Sequence, residues 1–180
     1  TFFDDAWPGK SDNSHWPVAG NTDDLINNLA VYDGVIVAVG NNRIREEKTE
    51  LLMKHGAALV TIIHPAATVS RYAEIAPGSV LFANVVVNAD VLIGPAVILN
   101  TGCTIDNDSH LGAAVHISPG VNLAGGLTVG KRTWVSIGAC VRQCIEIGED
   151  VTIGAGGVVV QDITSGVTVV GNPAKANGTK

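Results

Sequence analysis

Between Val69 and Val159 an aliphatic residue returns at every sixth position without a slip: Val69, Ile75, Leu81, Val87, Ile93, Leu99, Ile105, Leu111, Ile117, Leu123, Val129, Val135, Val141, Ile147, Ile153 and Val159. A second small or aliphatic position follows four residues after these, as at Ser79, Val97, Val115, Ala139 and Val151. Glycine often comes directly after the aliphatic residue, at Gly94, Gly112, Gly130, Gly148 and Gly154. A period of six is too short for a packed helical or two-stranded unit and is the signature of a hexapeptide parallel β-helix. Three hexapeptides close one triangular coil of about eighteen residues, so Leu81, Leu99, Ile117, Val135 and Ile153 are expected to stack as rungs. Each rung removes an aliphatic side chain from water, worth roughly 1.5–3 kcal/mol. Corners between the flat sides call for small or turn-tolerant residues, which accounts for the glycine.

The pattern before the repeat is different. Thr22-Asp23-Asp24, followed by Leu25, Ile26 and Leu29, predicts an N-capped helix with acids in its first turn. VIVAV (35–39) has the length and composition of a buried strand and ends in Gly40-Asn41-Asn42. Residues 44–55 predict a second helix, stopped by Gly56 as its C′ residue. AALVTII (57–63) predicts another buried strand, closed by Pro65. Strand alternating with helix predicts a small parallel α/β unit over 1–64, partly Rossmann-like, ahead of a β-helix over 65–171 and a tail over 172–180. Ligands on such sheets lie beyond the carboxyl ends of the strands, which here carry Asp4-Asp5 and Gly40-Asn41-Asn42. An ordinary loop is the competing reading. The chain opens TFFDD inside an apolar run, so a fragment is expected, and the first strand and glycine-rich phosphate turn of a nucleotide-binding half are not found in it.

Composition narrows the partners. Only 16% of residues are charged and 21 are glycine, which does not describe an ordinary layered core. Net charge is −6 with no basic run, which argues against nucleic acid and acidic membrane surfaces. No apolar stretch stands alone at the length of a membrane span. Cys103, Cys140 and Cys144 make an odd count without a recognisable secretory signal, so a cytoplasmic location is expected. Cys140 and Cys144 read as small packed residues rather than metal ligands.

One segment breaks the economy of the repeat. In CTIDNDSHLG (103–112), Asp106, Asn107, Asp108 and His110 crowd together where neighbouring units carry alanine, glycine and valine.

VIVAVGNNRIREE, IIHPAATV, ILNTGCTID, HISPGVNLAGGLTVGKRTWVSIGA and VVGNPAK together resemble the nucleotide-sugar N-acetyltransferases of the bacillosamine pathway (PglD-like), with sialic-acid O-acetyltransferases (NeuD-like) as relatives. The similarity runs from about residue 2 to Lys175. It implies a homotrimer of left-handed β-helices with acetyl-CoA, the co-substrate, in the groove between neighbouring helices. It also implies a UDP-amino-sugar held by the N-terminal unit, and attack of the sugar's 4-amine directly on the thioester. That reaction needs a base, a donor for the thioester oxygen and positioning. No metal is implied.

The resemblance assigns residues one by one. The family's base histidine falls on Asn107, followed by its acid, Asp108. An imidazole of pKa near 6.5 suits the base, whereas an amide takes up no proton near neutral pH. Three explanations stand open: an engineered His-to-Asn replacement made to trap a substrate complex, transfer of the proton role to Asp108 or His110, or a natural protein that binds without rapid turnover. His116, Gly125, Ile137, Ala155 and Lys175 fall on acetyl-CoA-binding positions; Asp4, Asp5, Gly40, Asn41 and Asn100 fall on substrate-binding positions. Asn100 otherwise reads as a turn cap, His110 as a corner histidine without a family role, and Lys131-Arg132 as either phosphate partners or a solvated corner. Rival readings are sugar O-acetylation, a non-catalytic trimeric binding protein, and a three-histidine metal enzyme of the γ-carbonic anhydrase kind. The last lacks a fitting third histidine, because His64 precedes the repeat.

Overall fold

The computed structural model describes residues 1–177, so the last three residues of the expected 172–180 tail lie outside the described residues. The repeat folds into a parallel β-solenoid of about six turns with three flat faces. Each hexapeptide contributes one two-residue rung. The first face stacks Ile62–Ile63, Val80–Leu81, Ile98–Leu99, His116–Ile117, Trp134–Val135 and Thr152–Ile153, continued by Thr168–Val170 and an antiparallel Lys175–Ala176. The second face stacks Thr68–Val69 through Thr104–Ile105 and Asn122–Leu123 to Val158–Val159. The third runs from Glu74–Ile75 through His110–Leu111 to Glu146–Ile147. In every rung from Val80–Leu81 to Val158–Val159 the second residue points inward and is buried. The predicted ladder Leu81, Leu99, Ile117, Val135, Ile153 is paired rung on rung. The companion positions Ser79, Val97, Val115, Ala139 and Val151 are buried beside it.

The corners obey two separate constraints. From Gly78 to Gly156 every sixth residue is left-handed, with φ between 53° and 80°. Glycine is not required there, since Asn84, Asp90, Ala96, Asp108, Ala114, Arg132, Cys144 and Asp150 also adopt that conformation. The glycines after the aliphatic residues answer to crowding instead. A Cβ on Gly112 would stand 2.7 Å from the Lys131 nitrogen of the next coil, and one on Gly130 2.5 Å from the Glu149 nitrogen.

The N-terminal part is mainly helical. Helix α1 spans Thr22–Asn27 and is capped by Asn21, whose side chain accepts from the Asp24 N–H while Asp24 accepts from the Asn21 N–H. Helix α2 spans Asn42–Lys54, is capped by Asn41 and ends before Gly56 at φ 79°. The expected strands at 35–39 and 57–63 do not form a sheet. Their pairing is a single parallel bridge, Val35 to Leu59, through Val35 N–H to Ala58 O and Val60 N–H to Val35 O. The apolar run signals burial, but a strand also needs a neighbour along its length. Here Val60 O is taken by Gly78 N–H, Ile62–Ile63 joins the solenoid, and Val39 O and Gly40 O are taken by a side chain of α2.

That helix lies along one ridge of the prism, the corner between the third and first faces. Arg43 reaches Asp150, Glu46 and Asn42 reach Arg132, and Arg45 donates to the carbonyls of Ala114 and Ala96. Thr49 abuts Gly78. These residues are the same corner position in five successive coils. Coils about 4.8 Å apart place five corners over roughly 19 Å, and a helix of 13 residues is roughly 20 Å long. The lengths match.

Candidate functional site

Asn107 and Asp108 form the corner between the second and third faces, held by the aliphatic rungs Ile105 and Leu111 on either side. The Asn107 amide donates from Nδ2 to Asp108 Oδ2 at 2.6 Å. Its backbone N–H donates to Asp106 Oδ1, which also accepts from Asn88 Nδ2, and this holds the Asp106 carboxyl below its usual range. Gly125 occupies the equivalent position one coil on. The Asn107 carbonyl accepts from the Gly126 N–H at 2.8 Å, and among the described residues no hydrogen bond engages the Gly125 N–H. The corner therefore presents, side by side, an acid with an amide bonded to it and an unengaged backbone donor. His110 stands on the outer surface of the third face.

A second group forms where α2 meets the solenoid. A cavity of about 500 Å³ is bounded by Gly40, Asn41 and Asn42 on one side and by His116, Trp134 and Thr152 on the other. The predicted substrate residues Gly40 and Asn41 and the predicted coenzyme residue His116 thus share one hollow. The His116 ring is stacked on Trp134, with centroids 6.2 Å apart and 24° between planes, and Trp134 Nε1 donates to Ser118 Oγ. His116 Nε2 is buried without a hydrogen-bond partner among the described residues. Burial, and then the neighbouring Arg45 cation, push the His116 pKa down to about 4. At neutral pH the imidazole is uncharged, able to accept at one nitrogen and donate at the other.

Asp4 and Asp5 border a different cavity of about 570 Å³, walled by Tyr32, Val35, Val37 and Val39. Both carboxylates are already engaged within the chain. Asp4 pairs with Lys10 and accepts from the Ala6 N–H; the pair with Lys10 lowers its pKa. Asp5 accepts from Lys48 and from the backbone and hydroxyl of Thr22, which brings it to about 2. Asp5 therefore ties the start of α1 to α2.

The remaining expected positions are dispersed. Asn100 Oδ1 accepts from the N–H of the next residue, Thr101, at 2.8 Å, at the corner between first and second faces. Ile137 and Ala155 occupy one exposed position of that corner in successive coils, linked by the Gly156 N–H to Ile137 O bond. Lys175 is exposed on the antiparallel end of the first face. Lys131 pairs loosely with Glu149. Arg132 is not a free cation: it binds Glu46 at 2.6 Å and Asp150 at 2.7 Å, which raise its pKa further. Its task is to fasten α2 to the ridge. Cys103 is buried, its thiol raised to about 12, and Cys140 and Cys144 are exposed free thiols. Among the described residues no cluster of His, Cys, Asp and Glu suits a metal ion.

Two residues escape the sequence pattern: Trp134, which lines this cavity, and Arg45, which is bonded to its wall at Gly40 and Asn42. Trp134 is a lone aromatic on an outer repeat position and carries no periodic mark. Arg45 looks like one more charge of an exposed helix, yet it is 1% exposed.

A six-residue solenoid with a helical unit docked along one ridge defines an architecture of the hexapeptide acyltransferase type. Residues 1–52 match the family model described as the PglD N-terminal domain. No curated protein matches the chain. Among solved structures, the acetyltransferase domain of PglB from Neisseria gonorrhoeae FA1090 is 45% identical, with 98% of this chain and 85% of that one covered and a TM-score of 0.91. The same domain in complex with acetyl coenzyme A is matched at 43% identity, 98% and 85% coverage and a TM-score of 0.89. A His-to-Asn mutant of perosamine N-acetyltransferase from Caulobacter crescentus, in complex with CoA and GDP-perosamine, is 39% identical, with 96% and 83% covered and a TM-score of 0.90. This chain belongs to the family of β-solenoid sugar N-acetyltransferases that these structures represent.

Proposed function

We propose that the protein transfers acetyl from acetyl-CoA to the 4-amino group of a UDP-4-amino-4,6-dideoxy sugar, as in bacillosamine synthesis. The observation that carries this is the 43% identity, over 98% of the chain, to an acetyltransferase domain in complex with acetyl coenzyme A. The N-terminal unit, residues 1–64, is read as the holder of the nucleotide and the solenoid as the acetyl-transfer platform, in a cytoplasmic enzyme.

In this reading the solenoids are left-handed and associate as a homotrimer. The geometry of one chain favours such an assembly. Asn107, Asp108 and Gly125 share one corner, Ile137 and Ala155 a second, and the cavity of Gly40, Asn41 and the first-face His116 lies beside the third, where α2 docks. The groups lie on different parts of the prism, so a groove between two copies would join a corner of one to a face of the other.

The chemistry follows from the groups present. The amine attacks the thioester carbonyl, the carbon–sulfur bond breaks and CoA leaves as the thiol. The Gly125 N–H, unengaged among the described residues, is placed to donate to the developing oxyanion. The proton shed by the amine needs an acceptor at position 107. Asn107 offers the hydrogen bond to Asp108 that an imidazole would make through a ring N–H, but it has no basic lone pair. Loss of a general base costs on the order of 10²–10⁴ in rate, so this form is slow and Asn107→His restores turnover.

The test is thiol release from acetyl-CoA with UDP-4-amino-4,6-dideoxy-N-acetylglucosamine, GDP-perosamine and an unaminated control. A gain of at least about 100-fold in Asn107→His is expected. Equal rates for the two forms would remove position 107 from the mechanism, and turnover of the hydroxyl control alone would make the enzyme an O-acetyltransferase. Undetectable acetyl-CoA binding would leave a non-catalytic trimeric binding protein.

A further inference from the structure

Arg45 is a buried cation whose five guanidinium N–H groups all find acceptors, none of them a carboxylate. Nε donates to Ala96 O at 2.8 Å and Nη2 to Ala114 O at 2.8 Å, the carbonyls of two successive solenoid corners. Nη1 donates to Val39 O at 2.9 Å and Gly40 O at 3.1 Å, and Nη2 also reaches Asn42 Oδ1 at 2.9 Å. Burying a cation without an anion is costly, and the group tolerates it because each donor is met. Burial brings its pKa down to about 10, so it stays charged at neutral pH.

Docking α2 does not depend on this residue alone. Glu46 holds Arg132, Arg43 holds Asp150, and Asn42 donates to Arg132 O. What Arg45 adds is specific to residues 39–42, of which Gly40, Asn41 and Asn42 wall the cavity that faces His116. Three of its five bonds go to that segment and two to the corners that lead into the His116 rung and into the Ile98 rung paired with it. We infer that Arg45 is a positioning residue for the amino-sugar substrate, setting the gap between the Gly40–Asn41 loop and the His116–Trp134 wall. This rests on the proposed role of the N-terminal unit as holder of the nucleotide, with Gly40 and Asn41 against the substrate and His116 fixed on the solenoid at the coenzyme's side. A lysine cannot replace it, since an ammonium has three donors at one point rather than five in a planar fork.

Arg45→Lys keeps the charge and tests the geometry. Binding of UDP-4-amino-4,6-dideoxy-N-acetylglucosamine and of acetyl-CoA is measured by calorimetry, with amide exchange followed along the chain. The inference expects sugar-nucleotide affinity at least tenfold weaker, acetyl-CoA affinity within twofold, and faster exchange confined to 39–42 and the start of α2. Unchanged sugar affinity overturns it, as does an equal loss for both ligands, which would make Arg45 a general stabiliser. If Arg45→Lys does not fold, Asn42→Ala removes one acceptor and must show the same split on a smaller scale, or the inference falls. Failure of the unmutated protein to bind the sugar nucleotide sinks the functional reading and this inference with it; unchanged binding in Arg45→Lys sinks the inference alone.

Discussion

Gly125 lies one coil beyond Asn107, so close that a Cβ there would stand 3.1 Å from both the carbonyl and the side-chain oxygen of Asn107. The φ of Gly125 is not left-handed, so its smallness serves the neighbour rather than the turn. Gly125→Ala is expected to cost about 1 kcal/mol in denaturant unfolding, because the corner is half open and can shift. In the Asn107→His form it should lower thiol release more than tenfold, since a misplacement of about 1 Å can cost 10²-fold. Full activity in Gly125→Ala would show that the spacing of this corner is irrelevant to the reaction.

Asp108 sits at φ 56°, a conformation asparagine tolerates, and accepts the Asn107 amide. Asp108→Asn should therefore leave the melting temperature within a degree or two. In Asn107→His it should depress activity by roughly tenfold or more, because a neutral amide no longer stabilises an imidazolium. A neutral effect on rate would mean that the acid only shapes the corner.

The pH response of stability carries the mark of His116. Its folded pKa, about 4, lies below the ordinary 6.5, so the unfolded chain binds the extra proton first as pH falls. Stability is therefore full above about pH 6.5 and declines as pH falls toward 4. Asp5, at about 2 in the folded protein, loses its contribution only below about pH 4. Urea unfolding across pH 4–7 should show the first decline, and His116→Gln should flatten it. An unchanged slope would place the proton uptake elsewhere.

The two kinds of corner glycine should respond differently. Gly112→Ala drives a methyl to 2.7 Å from the Lys131 nitrogen and should cost about 1–3 kcal/mol. Gly102→Asn places a side chain where nothing lies within 4 Å, at a φ of 67° that asparagine adopts, and should cost well under 1 kcal/mol. Thermal melting of the two variants decides it; equal losses would contradict the crowding account.

Much of the molecule was legible in its order of residues, and the solenoid most of all. Each coil touches only the coils before and after it, so a contact needs a match about eighteen residues away and nothing more. That is why Leu99 on Ile117, and Asn107 over Gly125, follow from counting. Local chemistry likewise announced α1 through Asp23 and Asp24 in its first turn and the end of α2 through Gly56, although the capping residues proved to be Asn21 and Asn41, one residue before Thr22 and three before the expected start at 44.

What escaped the pattern is the docking of α2, and with it the wall of the cavity at His116. The helix buries Arg45, Thr49 and Leu52, while Ile44, Leu51 and Met53 are exposed, so its apolar residues misreport which side faces the solenoid. Arg45 meets Ala96 and Ala114 across 51 and 69 residues, and Arg43 meets Asp150 across 107. The same distance rule explains the missing sheet at 35–39, where composition promised burial but no neighbour runs alongside. A repeat encodes contacts with its own next copy. The pairing of a charged helix with five corner carbonyls and side chains depends on three-dimensional proximity that no period in the sequence carries.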